Sequence, residues 1–147
     1  MTAQALQWLS NRVDTTDTGL AIVLARLLAW RARFCHFLAR YEETDQLIEQ
    51  SLTLARECGA TQVIPVGIYV QGCNAGARGD YVQARQLFQE SLALYRDTGD
   101  QYGAVELLTC LGGVAYDQGD FVETRRWWEE GYAVCRALAT AADLPDC

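Results

Sequence analysis

The residues best equipped for chemistry are few, and their spacing does not assemble a catalytic set. The one histidine, His36, directly follows Cys35. Neighbours on a helix point about 100° apart, so the two form no dyad. No Ser or Cys in a recognisable nucleophile motif accompanies His36. The acid pairs Glu42-Glu43 and Glu129-Glu130 fall at helix starts or on outer faces, where they are solvated and, near an N-terminus, favoured by the helix dipole. Six cysteines, at positions 35, 58, 73, 110, 135 and 147, include no C-x-x-C pair. Structural zinc wants clustered thiolates or imidazoles, so no metal site is expected. The thiols are expected to be reduced, mostly buried and used as small apolar fillers. Every basic residue is an arginine, which excludes a Walker A loop and lysine Schiff-base chemistry. The expectation is a protein that is not an enzyme and carries no cofactor.

Charge and hydropathy narrow the partners. Nineteen acids face twelve arginines, a net charge of −7. Such a chain repels phosphate backbones, so direct nucleic-acid binding is not expected. No apolar run is long enough to span a membrane, and a membrane-surface helix would need a basic polar face. The opening stretch MTAQALQWLSNR lacks a basic start and a long apolar core, so no signal peptide is expected and the location is read as cytoplasmic. With 147 residues, half of them hydrophobic, the chain suffices for one domain or a short repeat array.

The elements that must position any site come from a repeat. Rows 21–60, 61–100 and 101–140 align without a gap, and adjacent rows share nine identical positions each. RYEETDQLIEQSLTLARE at 40–57 becomes DYVQARQLFQESLALYRD at 80–97 and DFVETRRWWEEGYAVCRA at 120–137. Apolar residues recur every three or four positions and never alternate, so each row holds two helices and no strand. Gly79-Asp80 and Gly119-Asp120 separate the helices of rows two and three: Gly ends one in a left-handed turn and Asp caps the next. Row one has Ala39-Arg40 there, a weaker turn. Small residues recur in register at Ala32, Gly72 and Gly112, and again at Ser51, Ser91 and Gly131. Two helix backbones approach closely only at such points. Fixed self-similarity of this kind predicts a single domain of stacked helical hairpins. A further helix is expected at 3–13, followed by a polar connector to residue 18, and a short tail at 141–147. That makes an all-α solenoid of about seven helices.

These residues resemble the tetratricopeptide repeat. Row two carries Gly72, Ala75, Gly79-Asp80-Tyr81, Ala84, Phe88 and Ser91; row three carries Gly112, Ala115, Gly119-Asp120-Phe121, Thr124, Trp128 and Gly131. Row one departs most, with Arg31 and Thr44 where Leu and Ala are usual. The forty-residue period exceeds the roughly 34 usual for the family and is similar to arrays in large bacterial signalling ATPases and transcriptional regulators. The resemblance implies a right-handed superhelix whose first helices line a concave groove. It places Arg26, Trp30, Arg33, His36 and Phe37 there from row one, Tyr69, Val70 and Cys73 from row two, and Glu106, Thr109, Gly113 and Tyr116 from row three. The Lys and Asn clamp that some members use on terminal carboxylates is not matched. Asn74, in a position held by Phe34 and Val114 in the other rows, must find buried partners: a neighbouring carbonyl, or a ligand.

The implied function is a protein or peptide scaffold, the sensor or interaction part of a larger bacterial regulator. An acidic small-molecule effector among Arg26, Trp30, Arg33 and Tyr69 is the alternative. The last helix, with Trp127 and Tyr132, has no polar cap after it. It would stack on further repeats of a longer chain, the favoured arrangement, or pair two copies as a homodimer.

Overall fold

Two periods act on this chain together. Apolar residues every three or four positions wind helices, and the forty-residue repeat fixes where each helix stops. The computed structural model describes residues 18–142 and is all-α, with no strand among them. Helix α1 spans Thr18–Phe37, α2 Tyr41–Glu57, α3 Ile64–Ala77, α4 Tyr81–Thr98, α5 Gln101–Asp117 and α6 Phe121–Ala142. The helix expected at 3–13 and its connector to residue 17 lie outside the described residues. Helix α6 continues through Ala142, and the remainder of the expected tail, 143–147, lies outside the described residues.

Neighbours in sequence are neighbours in space. Helices α1 and α2, α3 and α4, and α5 and α6 pair as hairpins, while α2 meets α3, α4 meets α5 and α1 touches α3. This is a solenoid, and one continuous core runs along it through Leu28, Ile48, Val70, Leu92, Leu107 and Leu111.

The repeated small residues do what their register requires. A Cβ on Gly72 would lie 2.6 Å from the Phe88 ring, and one on Gly112 would lie 2.1 Å from Trp128. The aromatics of α4 and α6 therefore sit directly on the backbones of α3 and α5. Ser51 Oγ donates to the Ala25 carbonyl at 2.8 Å, and Ser91 Oγ donates to the Pro65 carbonyl at the same distance. Donor and acceptor both shift by one repeat.

The turns between paired helices repeat as well. Gly79 and Gly119 stand at φ +81° and +76°. Asp80 Oδ1 accepts the Gln83 amide and Asp120 Oδ1 accepts the Glu123 amide, both at 3.0 Å. Row one makes the same turn with less suitable residues. Ala39 takes φ 55°, and Arg40 supplies no side-chain cap.

Candidate partner-binding surfaces

The first helices of the hairpins carry the residues expected in the groove, and five of them meet in one place. Arg33 on α1 donates from Nη2 to Glu106 Oε1 on α5 at 2.5 Å. Its guanidinium lies 5.2 Å from the Tyr69 ring centre on α3 and 5.7 Å from that of Trp30. A side chain of the first hairpin thus reaches the third across α3, which requires the three first helices to curl to one side. Cys73 lies one turn beyond Tyr69. Its thiol interacts electrostatically with the Cys110 thiol and the Tyr69 hydroxyl.

The electrostatics of this floor are self-contained. Burial opposes the Arg33 charge, but Glu106, with Tyr69 and Cys73 in support, outweighs it and raises the guanidinium pKa further. Burial, reinforced by Cys73, pushes the Tyr69 phenol up. The interaction with Cys110 holds Cys73 below the ordinary thiol range against the effect of burial, and the same interaction pushes Cys110 up. The basic groove entrance expected from Arg33 is therefore compensated by Glu106. An incoming carboxylate would have to displace it.

His36 and Phe37 lie elsewhere, at the C-terminal end of α1. The buried Asn74 organises this corner. Its Oδ1 lies 3.0 Å from His36 Nδ1, and its Nδ2 donates to the Tyr41 carbonyl at 2.9 Å and to Asp45 Oδ1 at 2.6 Å. Asn74 thus finds the neighbouring carbonyl that was one of its two expected partners. Arg78 adds a 2.7 Å ion pair to Asp45. Phe37 meets the His36 ring edge-on at 5.9 Å and is otherwise exposed.

Thr109 and Tyr116 sit with the last helix. The Thr109 carbonyl accepts from Trp128 Nε1 at 3.2 Å, and Tyr116 stacks on the Trp128 ring at 6.3 Å. Of the two residues assigned to the C-terminal stacking face, Trp127 packs on the core, whereas Tyr132 is exposed. Cys135, expected to be mostly buried, is exposed on the same helix.

Helix α1 also keeps an open apolar face. Val23, Leu27, Trp30, Phe34 and Phe37 follow one another at intervals of four, three, four and three, and all are exposed. Trp30 and Phe34 stand at 59% and 64% exposure, while Val70 and Asn74, one repeat later, stand at 1%. In α3 and α5 the matching face is covered by the preceding hairpin. A Cβ at Gly67 would meet Leu52 of α2, and one at Gly103 would meet Tyr95 of α4. Arg26 borders this face, exposed and without an ion-pair partner among the described residues. With Trp30, Ala29, Gln62, Val63 and Val66 it lines a recess of about 190 Å³.

Sequence reasoning missed two parts of these surfaces. Cys110 follows Glu106 by one turn just as Cys73 follows Tyr69, and that parallel spacing was the available signal. The open α1 face was legible as an apolar stripe but is indistinguishable in sequence from a buried one. No protein-family model matches the chain, and no curated protein matches it.

Proposed function

We propose that the chain is a non-enzymatic interaction scaffold of the tetratricopeptide kind, and that its partner is a protein helix with an apolar seam and an acidic flank. The observation that carries this reading is the open face of α1. Its residues occupy the positions that α3 and α5 use to receive the second helix of the preceding hairpin, so a helix is the shape it fits. The acidic flank follows from charge. Helix α1 contains Arg26, Arg31 and Arg33 and no acid. Arg31 is paired with Glu43 and Arg33 with Glu106, which leaves Arg26 to meet the partner. Trp30 beside it is the type of large aromatic that anchors such contacts.

Fluorescence anisotropy with amphipathic helical peptides tests this. An acid-flanked peptide should bind roughly tenfold more tightly than its base-flanked twin at low salt, and Arg26→Glu should reverse the order. Phe34→Asp should abolish binding of both. Equal affinity for the two peptides, or binding indifferent to Phe34→Asp, overturns the reading.

The resemblance extends this to a place in a larger bacterial regulator, in which the array reports partner binding to an ATPase and a DNA-binding module. At the opposite end, Tyr132 serves stacking on further repeats or a homodimer. The recess beside Arg26 and Trp30 favours a second reading, an acidic small-molecule effector. It is smaller than the roughly 300–1,000 Å³ of ordinary ligand sites, and Arg33 is held by Glu106. Titration with anionic metabolites, read by tryptophan fluorescence, separates the two: a saturable response that outcompetes the peptide supports the effector.

A further inference from the structure

We propose that the helix docking on α1 presents small residues (glycine, alanine or serine) along its seam, and that it is not α6 of a second copy. This rests on the reading that the open face of α1 receives a helix, and it specifies which helix fits. Inside the array, each junction between hairpins sets one large side chain against a residue that has none. Leu52 of α2 is buried and stands over Gly67 of α3, where a Cβ would lie 2.6 Å from its Cδ2. Tyr95 of α4 stands over Gly103 of α5, where a Cβ would run into its ring. In both, the covering helix supplies the bulk and the covered helix supplies the gap. The forty-residue register carries Gly67 to Leu27 and Gly103 to Val23, so neither gap exists on α1. The next two turns go the same way. Trp30 stands where α3 and α5 have Val70 and Cys110, and Phe34 where they have Asn74 and Val114. All four α1 side chains are exposed, and none is smaller than either counterpart.

Side-chain size at the contact sets how closely two helix axes approach. A covering helix with Leu or Tyr at these levels would meet bulk with bulk and be held off, leaving unfilled space beside the contact. A helix with small residues there lets Leu27 and Trp30 rest on its backbone, as Phe88 rests on Gly72 within the second hairpin. The roles are exchanged: α1 supplies the bulk and the partner supplies the gap. A second copy fails on this count. Tyr132 of α6 holds the position of Leu52, so in a head-to-tail pair it would face Leu27, with Trp128 one turn before it. Both α6 aromatics are large and exposed, and neither offers a gap.

Two acid-flanked helical peptides test this on the full chain. They differ only in the seam, alanine in one and leucine in the other, and lactam staples on the outer face equalise their helicity. By fluorescence anisotropy the alanine seam should bind wild type roughly tenfold more tightly. Plain apolar attraction predicts the opposite order, because leucine buries more surface. Leu27→Ala changes an exposed position to a good helix former and opens part of the gap that Gly67 gives α3. It should bring the two affinities within about threefold of each other. Leucine-seam peptide bound by wild type as tightly as the alanine one overturns the inference and leaves helix docking standing. A preference unchanged in Leu27→Ala overturns it as well. Failure of both peptides removes the docking reading and the inference together. Wild-type self-association in sedimentation equilibrium that Phe34→Asp abolishes would seat a second copy on α1 and overturn the proposal.

Discussion

Gly72 tests whether the helix pairs are set by contact between backbone and aromatic. Replacing it with alanine adds one methyl group to the interior of α3. Helix propensity alone favours the change by about 1 kcal/mol. The packing opposes it. The new Cβ would lie 2.6 and 2.7 Å from two atoms of the Phe88 ring, well inside ordinary contact. Phe88 is 4% exposed and packs against Tyr69 at 6.1 Å between ring centres, so it has no free direction in which to move. Overpacking of this kind costs about 1–3 kcal/mol, and more where the neighbour is rigid. Because Phe88 is hemmed in, the upper part of that range, about 2–3 kcal/mol, applies, and the expected net result is a loss of about 1–2 kcal/mol. Gly113 is the control. It lies in the interior of α5, and a Cβ there meets nothing within 4 Å. Gly113→Ala should therefore gain about 0.5–1 kcal/mol from propensity alone. Urea denaturation followed by far-UV circular dichroism reads both, given an unchanged m-value. If Gly72→Ala is as stable as wild type, the close approach of α3 and α4 at Phe88 does not set the hairpin.

Three further outcomes are expected. Ala39→Gly relieves a left-handed alanine at φ 55° and should stabilise by about 0.5–1 kcal/mol, raising Tm by a few degrees in calorimetry. Asn74→Ala leaves the Tyr41 carbonyl and Asp45 short of a buried donor and should cost about 2–3 kcal/mol in urea titration. Burial pushes the Tyr95 phenol up to about 12, from an ordinary value near 10. Its contribution is complete below pH 10 and is lost as pH rises towards 12, because the unfolded chain gives up the proton first. The wild type should therefore lose about 1 kcal/mol more than Tyr95→Phe between pH 9 and pH 11. Tyr69, shifted the same way, keeps some slope in the variant.

The framework was legible because its determinants are local and repeated. Glycine at 79 and 119, followed by a capping aspartate, states a turn in the sequence itself, and the small residues at 72 and 112 state a close approach. Row one shows the limit: Ala39-Arg40 makes the same turn, imposed by the packing of α1 on α2 rather than by local preference. The candidate sites were legible in part. The resemblance, rather than spacing alone, put Arg33, Tyr69, Cys73 and Glu106 on one surface. It did not reveal that Arg33 would be neutralised by Glu106, since that depends on the curl of three hairpins. His36 left the group because Asn74, two helices away, offers it an oxygen. Tyr116 left it because Trp128 of the next helix stacks on its ring, and the Thr109 carbonyl accepts from the same indole.

The serine hydroxyls that tie the first two hairpins have no counterpart in the third. Gly131 stands where Ser51 and Ser91 stood, and the Val105 carbonyl accepts the Thr109 hydroxyl of its own helix instead. The third hairpin is tied instead by Trp128 Nε1, which donates to the Thr109 carbonyl, an exposed contact where the serine bonds are buried. In an assembly held by nearest-neighbour cohesion, the unit whose tether is open to water opens first. Breathing should therefore start at the C-terminal hairpin and spread backwards. Amide protons of α6 would exchange with solvent ahead of those in α2 and α4, giving the rod a soft end and a stiff one.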